Sequence, residues 1–418
     1  MGEKNVKFFN TDGLRGNALE IICSNMVFKI GQYIGMNAKK VIIGYDTRQS
    51  SPQIADLVIN GIITKGTDIV VAGVCPTPYI NYCVKNKDFD YGIMITASHN
   101  PYFDNGIKII GSDGKKLSLE EIEKLKKYLA TNDNIEFSNQ LGKIEYQSNI
   151  NEYYQNRIDR ISFNNKKILV DLANGGYSSL ADYIKLNNVT IINNNPNGMN
   201  INDHCGSMYP KILQQKVIEG NYDYGIAFDG DGDRMIVVNS KSIFDGDDLI
   251  SFFSEEFNNE IVVITKQSNK GLIKKLEKNK NQVEIVDVGD HNVTTKMMDH
   301  SAKIGGEASG HIIFQELFYS DGLFAMVNFI NLVNKKEIKS FKKYYNFSKS
   351  ISHESNIYKK KEEIVSLLEK IIDDDDYLLV RESGTEDKLR INLQTKKKYL
   401  IKTIEDIFSK LEKNLCVE

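Results

Sequence analysis

Short apolar runs that stop at a polar or glycine-bearing turn recur through most of this 418-residue chain: 41-VIIGYD, 68-DIVVAGV, 91-YGIMIT, 168-ILVDL, 224-YGIAFD, 261-IVVIT and 283-VEIVDV. Runs this short and this apolar read as strands buried on both faces of a sheet. Helical spacing lies between them, as at Pro52 to Thr64 and Ser118 to Leu129, the second opening with Ser118 and Glu121 at capping-box separation. Strand alternating with helix predicts α/β domains with parallel or mixed sheets. The end of the chain reads strand (Tyr377 to Val380), turn, strand (Lys388 to Gln394) and helix (Leu400 to Leu415), enough for a small α+β unit. Polar stretches at Asn132 to Gln147, Glu337 to Asn356 and Asp373 to Asp376 are expected to be linkers or surface loops, and the Asn-rich patch at Asn193 to Asn202 a loop.

The length exceeds one ordinary core, and roughly 150 residues per domain gives about three. With 53 basic and 56 acidic residues the net charge is −3, which offers no basic field for the phosphates of nucleic acid. No apolar run approaches the roughly 20 residues of a membrane span, and the start of the chain is polar, so a cytoplasmic protein is expected. The five cysteines, Cys23, Cys75, Cys83, Cys205 and Cys416, are scattered without a C-x-x-C pair and indicate neither a disulfide framework nor a zinc site.

Four clusters place polar groups where a strand ends and a loop begins, the position that usually hosts sites in α/β folds. In 93-IMITASHNP, Thr96, Ser98, His99, Asn100 and Pro101 follow an apolar strand; taken alone, such residues are ordinary turn formers. Asp229, Asp231 and Asp233 alternate with Gly230 and Gly232 after 224-YGIAF. In a regular strand, alternate carboxylates would stand about 6.6 Å apart, but the glycines let the backbone curl so that three converge on one cation. A calcium EF-hand would need Gly and Glu where Arg234 and Ser240 stand, whereas Mg²⁺ with a phosphate completing its oxygen shell fits. In 305-GGEASGH, Glu307, Ser309 and His311 sit on a flexible backbone suited to sugar hydroxyls or to a plain glycine-rich hairpin. Between the last two strands, Arg381, Ser383, Gly384, Thr385 and Arg390 combine guanidiniums, hydroxyls and glycine-freed amides, a set suited to a phosphate dianion.

Together these parts resemble the α-D-phosphohexomutase family, whose pattern contains a T-A-S-H-N-P serine loop, a D-G-D-G-D-R metal loop, a G-E-x-S-G-H sugar loop and an R-x-S-G-T-E phosphate loop in this order. The resemblance implies three mixed α/β sandwich domains plus a smaller C-terminal α+β domain around a central cleft, with boundaries expected at 1–145, 146–241, 242–345 and 346–418. It implies a Mg²⁺-dependent isomerase that carries a phosphoryl group on Ser98, with a sugar bisphosphate as activator and intermediate. Ser98 would also be a metal ligand, through its phosphate, beside Asp229, Asp231 and Asp233. Arg15 and Arg234 would add positive charge, and Lys108 in 104-DNGIK matches the family position for a general acid/base, with His99 or His311 assisting. A lysine in that role needs a depressed pKa. Glu307 and Ser309 would hold sugar hydroxyls, and Arg381, Ser383, Gly384, Thr385 and Arg390 the phosphate that stays put.

Two further segments, 10-NTDGLRG and 200-NINDHCGSMYP, resemble the branch that acts on glucosamine phosphate and feeds UDP-N-acetylglucosamine synthesis. Glucose or mannose phosphate is the alternative substrate. A sugar-phosphate binder without catalysis and a magnesium phosphatase are rival readings. A homodimer stays open, with neither nucleic acid nor membrane expected as partner. The chain departs from the family pattern at His291, where arginine is usual, at Asp387, where proline is common, and at Met208, Tyr209, Lys211 and Ala308.

Overall fold

In the computed structural model the described residues are 13–130, 137–147, 150–162, 165–184, 186, 188–353, 355, 358, 361–382 and 388–415. They form four sheets in chain order. The first contains β1 (Leu14–Asn17), β2 (Lys40–Tyr45), β3 (Asp68–Val74), β4 (Tyr91–Ile95), β5 (Asp104–Gly111) and β6 (Ile144–Tyr146), ordered β1-β5-β4-β2-β3-β6. The second contains β7 (Ile168–Asp171), β8 (Val189–Ile192), β9 (Tyr224–Phe228), β10 (Met235–Val238) and β11 (Ile243–Phe244), ordered β11-β10-β9-β7-β8. The third contains β12 (Ile261–Thr265), β13 (Gln282–Val286), β14 (Ile304–Gly306) and β15 (Ile312–Phe314), ordered β13-β12-β14-β15. The fourth contains β16 (Tyr345–Ser352), β17 (Tyr377–Glu382) and β18 (Lys388–Thr395), ordered β16-β18-β17.

The first three sheets share a design that positions the site. In each, a strand lies parallel to its neighbour on one side and antiparallel to the next strand in sequence: β4 beside β2 and β5, β9 beside β7 and β10, β14 beside β12 and β15. The loop that reverses the chain is in each case a signature loop: Ala97–Phe103, Asp229–Arg234 and Glu307–His311. These loops leave the C-terminal ends of parallel strands, where an α/β sheet presents its ligand crevice.

Burial explains the strands. Ile168–Asp171, Tyr224–Phe228 and Ile304–Gly306 are buried at every position, as continuous apolar runs predict for strands covered by helices on both faces. The expected capping box is present, with Ser118 N donating to Glu121 Oε2 at 2.8 Å and Glu121 N to Ser118 Oγ at 3.3 Å, at the start of the helix Leu119–Ala130. The acidic stretch at Asp373 to Asp376 is a turn closed by Asp373 N on Asp376 Oδ2 at 3.1 Å.

Two stretches expected to be linkers hold strands instead. Asn132 to Gln147 includes β6, an edge strand exposed at all three positions, and Glu337 to Asn356 includes β16, where only Phe347 and Ile351 turn into the core. An edge strand needs few apolar residues because one side or face stays in water, so its polar composition resembles a loop.

One continuous apolar cluster runs from Ile42 and Val70 of the first sheet and Tyr79 and Ile80 of the helix Thr77–Asn86, through Phe228 of the second sheet, to Phe329 and Leu332 of the helix Gly322–Val333. The fourth sheet has its own core, with Phe347, Leu389, Ile391, Leu393, Ile404 and Phe408. Cys23, Cys75, Cys83 and Cys205 are free thiols, the last three buried. Among the described residues no helix is long and apolar enough to cross a membrane.

Candidate active site

The aspartate loop is the hub. Carboxylate oxygens of Asp229, Asp231 and Asp233 lie within 4.8 Å of one another, and all three side chains are buried. The glycines have the role expected of them. Gly232 has φ +75°, and a Cβ there would come within 2.5 Å of the Tyr177 ring; a Cβ on Gly230 would come within 2.7 Å of Ser98 O.

The serine loop reaches this hub directly: Ser98 Oγ donates to Asp229 Oδ2 at 2.6 Å. Ser98 has φ +52°, a left-handed backbone uncommon for a serine. His99 Nδ1 stands 3.4 Å from Ser98 Oγ. Burial lowers the His99 pKa to about 3, helped by the guanidiniums of Arg234 and Arg15, so its imidazole is neutral at pH 7. Arg15 lies on β1, paired with Gly106 of β5, so the edge strand brings it to the serine loop.

Lys108, on β5 and 5% exposed, donates from Nζ to Asp231 Oδ2 at 2.6 Å and to Asp233 Oδ2 at 2.8 Å. Burial pushes its pKa down, but the two carboxylates more than offset that and the net direction is up. The depressed pKa expected for a basic lysine is therefore not found; Lys108 is held as an ammonium because its neighbours are the aspartates. Burial likewise pushes Asp231 and Asp233 up, but Lys108 holds both carboxyls below the usual range. Asp229 goes the other way, raised to about 7 by burial and by the two neighbouring aspartates.

The sugar loop joins the same network. His311 Nε2 is 3.1 Å from Asp233 Oδ1 and its Nδ1 is 2.9 Å from Glu307 Oε2. Burial opposes protonation, yet Asp233 and Glu307 hold the imidazole pKa up to about 10. Glu307 Oε1 accepts from Gly289 N at 2.9 Å, and Ser309 is exposed, its Oγ 3.3 Å from His311 Nδ1. Arg234 and His311 form an isolated antiparallel bridge, and Arg234 Nε is 3.8 Å from Asp229 Oδ2. Burial lowers the pKa of His291, consistent with a neutral side chain where the family has arginine.

On the fourth sheet Arg381 and Arg390 lie opposite each other on β17 and β18. Burial, then the Arg390 charge, lowers the Arg381 pKa, while Glu307 and Asp287 pull it up, which places Arg381 within electrostatic range of the sugar loop. Ser383, Gly384 and Thr385, with Asp387, lie outside the described residues.

Several residues of this arrangement are not among the site residues that the sequence motifs point to. Thr77 donates from Oγ1 to Asp231 Oδ2 at 2.5 Å and from N to Asp231 O at 2.8 Å. Ser320 donates to Asp233 O at 2.5 Å, and Asn202 Nδ2 to Ser98 O at 2.8 Å. Asp46 and Arg48 brace the serine loop from below. For the last pair a signal existed: 46-DTR directly follows a buried strand, as the four chosen clusters do.

The donor set fits a divalent cation. Three buried carboxylates converge, and Asp231 Oδ1 is buried without a hydrogen-bond partner. Hard oxygen donors of this kind suit Mg²⁺.

Comparison with known proteins gives the family. The model of "Phosphoglucomutase/phosphomannomutase, alpha/beta/alpha domain I" matches residues 6–136, and that of domain III matches residues 245–350. The phosphoglucosamine mutase of Caldicellulosiruptor bescii is 32% identical over 424 residues, covering 93% of this chain and 94% of the relative. The crystal structure of a phosphoglucomutase/phosphomannomutase family protein from Burkholderia thailandensis has a TM-score of 0.80 at 20% identity, covering 97% of this chain and 96% of that one. Aspergillus fumigatus N-acetylphosphoglucosamine mutase, in complex with GlcNAc-6P and magnesium, has a TM-score of 0.65 at 14% identity, covering 97% and 95%. The chain belongs to the α-D-phosphohexomutase family of intramolecular phosphotransferases, and stands within it among relatives that are phosphoglucosamine mutases.

Proposed function

We propose that this phosphohexomutase interconverts glucosamine 6-phosphate and glucosamine 1-phosphate through a phosphorylated Ser98 and a sugar bisphosphate. The observation that carries the reading is the placement of Ser98 Oγ 2.6 Å from Asp229, inside a buried triad of aspartates that also holds Lys108. The amino-sugar assignment rests on relatives of this name at 32% identity over nearly the whole chain. Its product would serve UDP-N-acetylglucosamine synthesis in the cytoplasm.

In the first half-reaction the bond between phosphorus and Ser98 Oγ breaks as one forms to a sugar hydroxyl oxygen, giving the bisphosphate. In the second, the bond between the other phosphorus and its sugar oxygen breaks as one forms to Ser98 Oγ, restoring the phosphoserine. The sugar hydroxyl loses its proton and Ser98 Oγ gains one in the first step, the reverse holds in the second, and so the site has only to hold a proton in passing. We assign that proton to neutral His99, 3.4 Å from Ser98 Oγ, and to Lys108, whose ammonium is held on Asp231 and Asp233. Asp229, Asp231, Asp233 and a phosphoserine oxygen would hold Mg²⁺, which when bound offsets negative charge on the transferring group. Arg15 and Arg234 add positive charge nearby, and Glu307, with Ser309, orients the sugar. Arg381 and Arg390, with Ser383, Gly384 and Thr385, hold the phosphate that is not transferred. Because both ends of the bisphosphate must visit Ser98, the fourth sheet, which has its own core, swings to let the intermediate turn.

Coupled conversion of glucosamine 6-phosphate with Mg²⁺, run beside glucose and mannose 6-phosphates, tests the reading. Preferred turnover of the amino sugar is expected. Preference for another hexose would move the substrate, and release of inorganic phosphate would indicate a phosphatase.

A further inference from the structure

We propose that Asp46 and Arg48 are the positioning residues that hold Ser98 in its reactive conformation, an inference that rests on Ser98 being the phosphoryl carrier. Neither touches a reacting atom. Both are buried at the end of β2, Asp46 at 0% and Arg48 at 1% exposure.

The guanidinium has five N–H donors in a fixed fork, and all five are used. Nε donates to Asp46 Oδ2 at 2.9 Å. Nη1 donates to Pro101 O and, at 3.0 Å, to Asp104 O. Nη2 donates to Ser98 O and Asn100 O, both at 2.9 Å. One side chain thus gathers to a point three carbonyls of the serine loop and that of Asp104, where β5 begins.

Asp46 completes the brace from the amide side. Its Oδ2 also accepts from Thr96 Oγ1 at 2.7 Å, and Thr96 Oγ1 accepts from Ser98 N at 2.8 Å. Its Oδ1 accepts from Arg48 N at 3.1 Å and Ser51 Oγ at 2.8 Å. Both backbone polar groups of Ser98 are therefore fixed, the amide through Thr96 to Asp46 and the carbonyl to Arg48.

That restraint matters because of the backbone it holds. At φ +52° Ser98 sits in a conformation that costs on the order of 1–3 kcal/mol and persists only where its surroundings over-determine it. Relaxation to negative φ would swing Oγ away from Asp229. A buried ion pair adds little net stability over apolar packing of the same volume, so what this pair supplies is one loop conformation. Lysine could not replace Arg48: it keeps the charge opposite Asp46, but one nitrogen with three donors cannot reach four carbonyls.

The test compares Arg48→Lys, Thr96→Val and Thr96→Ser with wild type and Ser98→Ala, using kcat, KM, the single-turnover rate of phosphoryl transfer from Ser98, and melting temperature. Thr96→Val keeps the shape but removes the hydroxyl between Asp46 and Ser98 N, so it carries the test if Arg48→Lys does not fold. We expect Arg48→Lys and Thr96→Val to lose about 10²-fold in kcat and in single-turnover rate, as for a nucleophile displaced by an ångström. KM should stay within about twofold, and Thr96→Ser should recover turnover to within about threefold of wild type. Wild-type kcat in both Arg48→Lys and Thr96→Val, or a loss that vanishes after correction for folded fraction, overturns the inference. Activity retained by Ser98→Ala would instead remove the carrier reading on which it rests.

Discussion

Around the aspartate loop, each charge meets its counter-charge within the chain: Lys108 against Asp231 and Asp233, Arg234 beside Asp229, His311 between Asp233 and Glu307. On the fourth sheet two like charges, Arg381 and Arg390, stand opposite each other on neighbouring strands, and burial, then the Arg390 charge, lowers the Arg381 pKa. The first region is organised before substrate arrives. The second sets two guanidiniums side by side, a pair that a phosphate dianion would bridge. Damage to the first should therefore appear in kcat, where preorganised groups act on the transition state, and damage to the second in KM.

The sharpest break comes from the first region. Ser98→Ala should lower turnover by on the order of 10⁵-fold, measured in the coupled assay, because removing a covalent carrier removes the path itself. Stripping divalent metal with a chelator should cost about 10³-fold, restored by Mg²⁺, since charge stabilisation by a metal supplies several kcal/mol. Turnover that ignores the chelator would show that Lys108 alone neutralises the triad.

In the second region, Arg390→Ala should raise KM by roughly 10- to 100-fold, the equivalent of about 1.5–3 kcal/mol for hydrogen bonds to a charged group, while kcat changes much less. A fall in kcat with unchanged KM would erase the distinction between the regions.

The smallest effect lies where the two regions join. Asp247, in the first turn of the helix Gly246–Ser254, accepts from Asn269 N at 2.6 Å, and Asn269 in turn holds Tyr344 at the approach to β16. Burial, then the Asp245 charge, raises Asp247 to about 7. Its unfolded value is near 3.9, so between those pH values the native state binds the extra proton. The stability this contributes is full below the unfolded pKa and lost as pH rises through about 7. From pH 5 to pH 8, wild type should lose about 2 kcal/mol relative to Asp247→Asn, read from melting curves. Parallel pH dependence of the two proteins would contradict the assigned burial cost.

Much of this was legible in the sequence, for identifiable reasons. The buried parallel strands were readable because both faces are covered and the run is apolar, as in 224-YGIAF, whereas 283-VEIVDV, read the same way, supplies the half-exposed edge strand β13. Convergence of the aspartates was readable because alternating glycines leave few other uses for three acids. Polar edge strands such as β16 were not, since only Phe347 and Ile351 mark them. The charge state of Lys108 was not readable either: it depends on carboxylates 123 and 125 residues away in sequence. The same holds for Arg48, whose carbonyl partners lie 50 to 56 residues away and leave no side-chain pattern.

The most direct measurement of the central claim follows an isotopic label placed on the phosphoryl group of Ser98 through a single turnover with unlabelled glucosamine 6-phosphate. The account predicts that label leaves the protein at the rate of turnover and appears in the bisphosphate and then in glucosamine 1-phosphate. Label that stays on the protein while product forms, or that leaves only as inorganic phosphate, would contradict it.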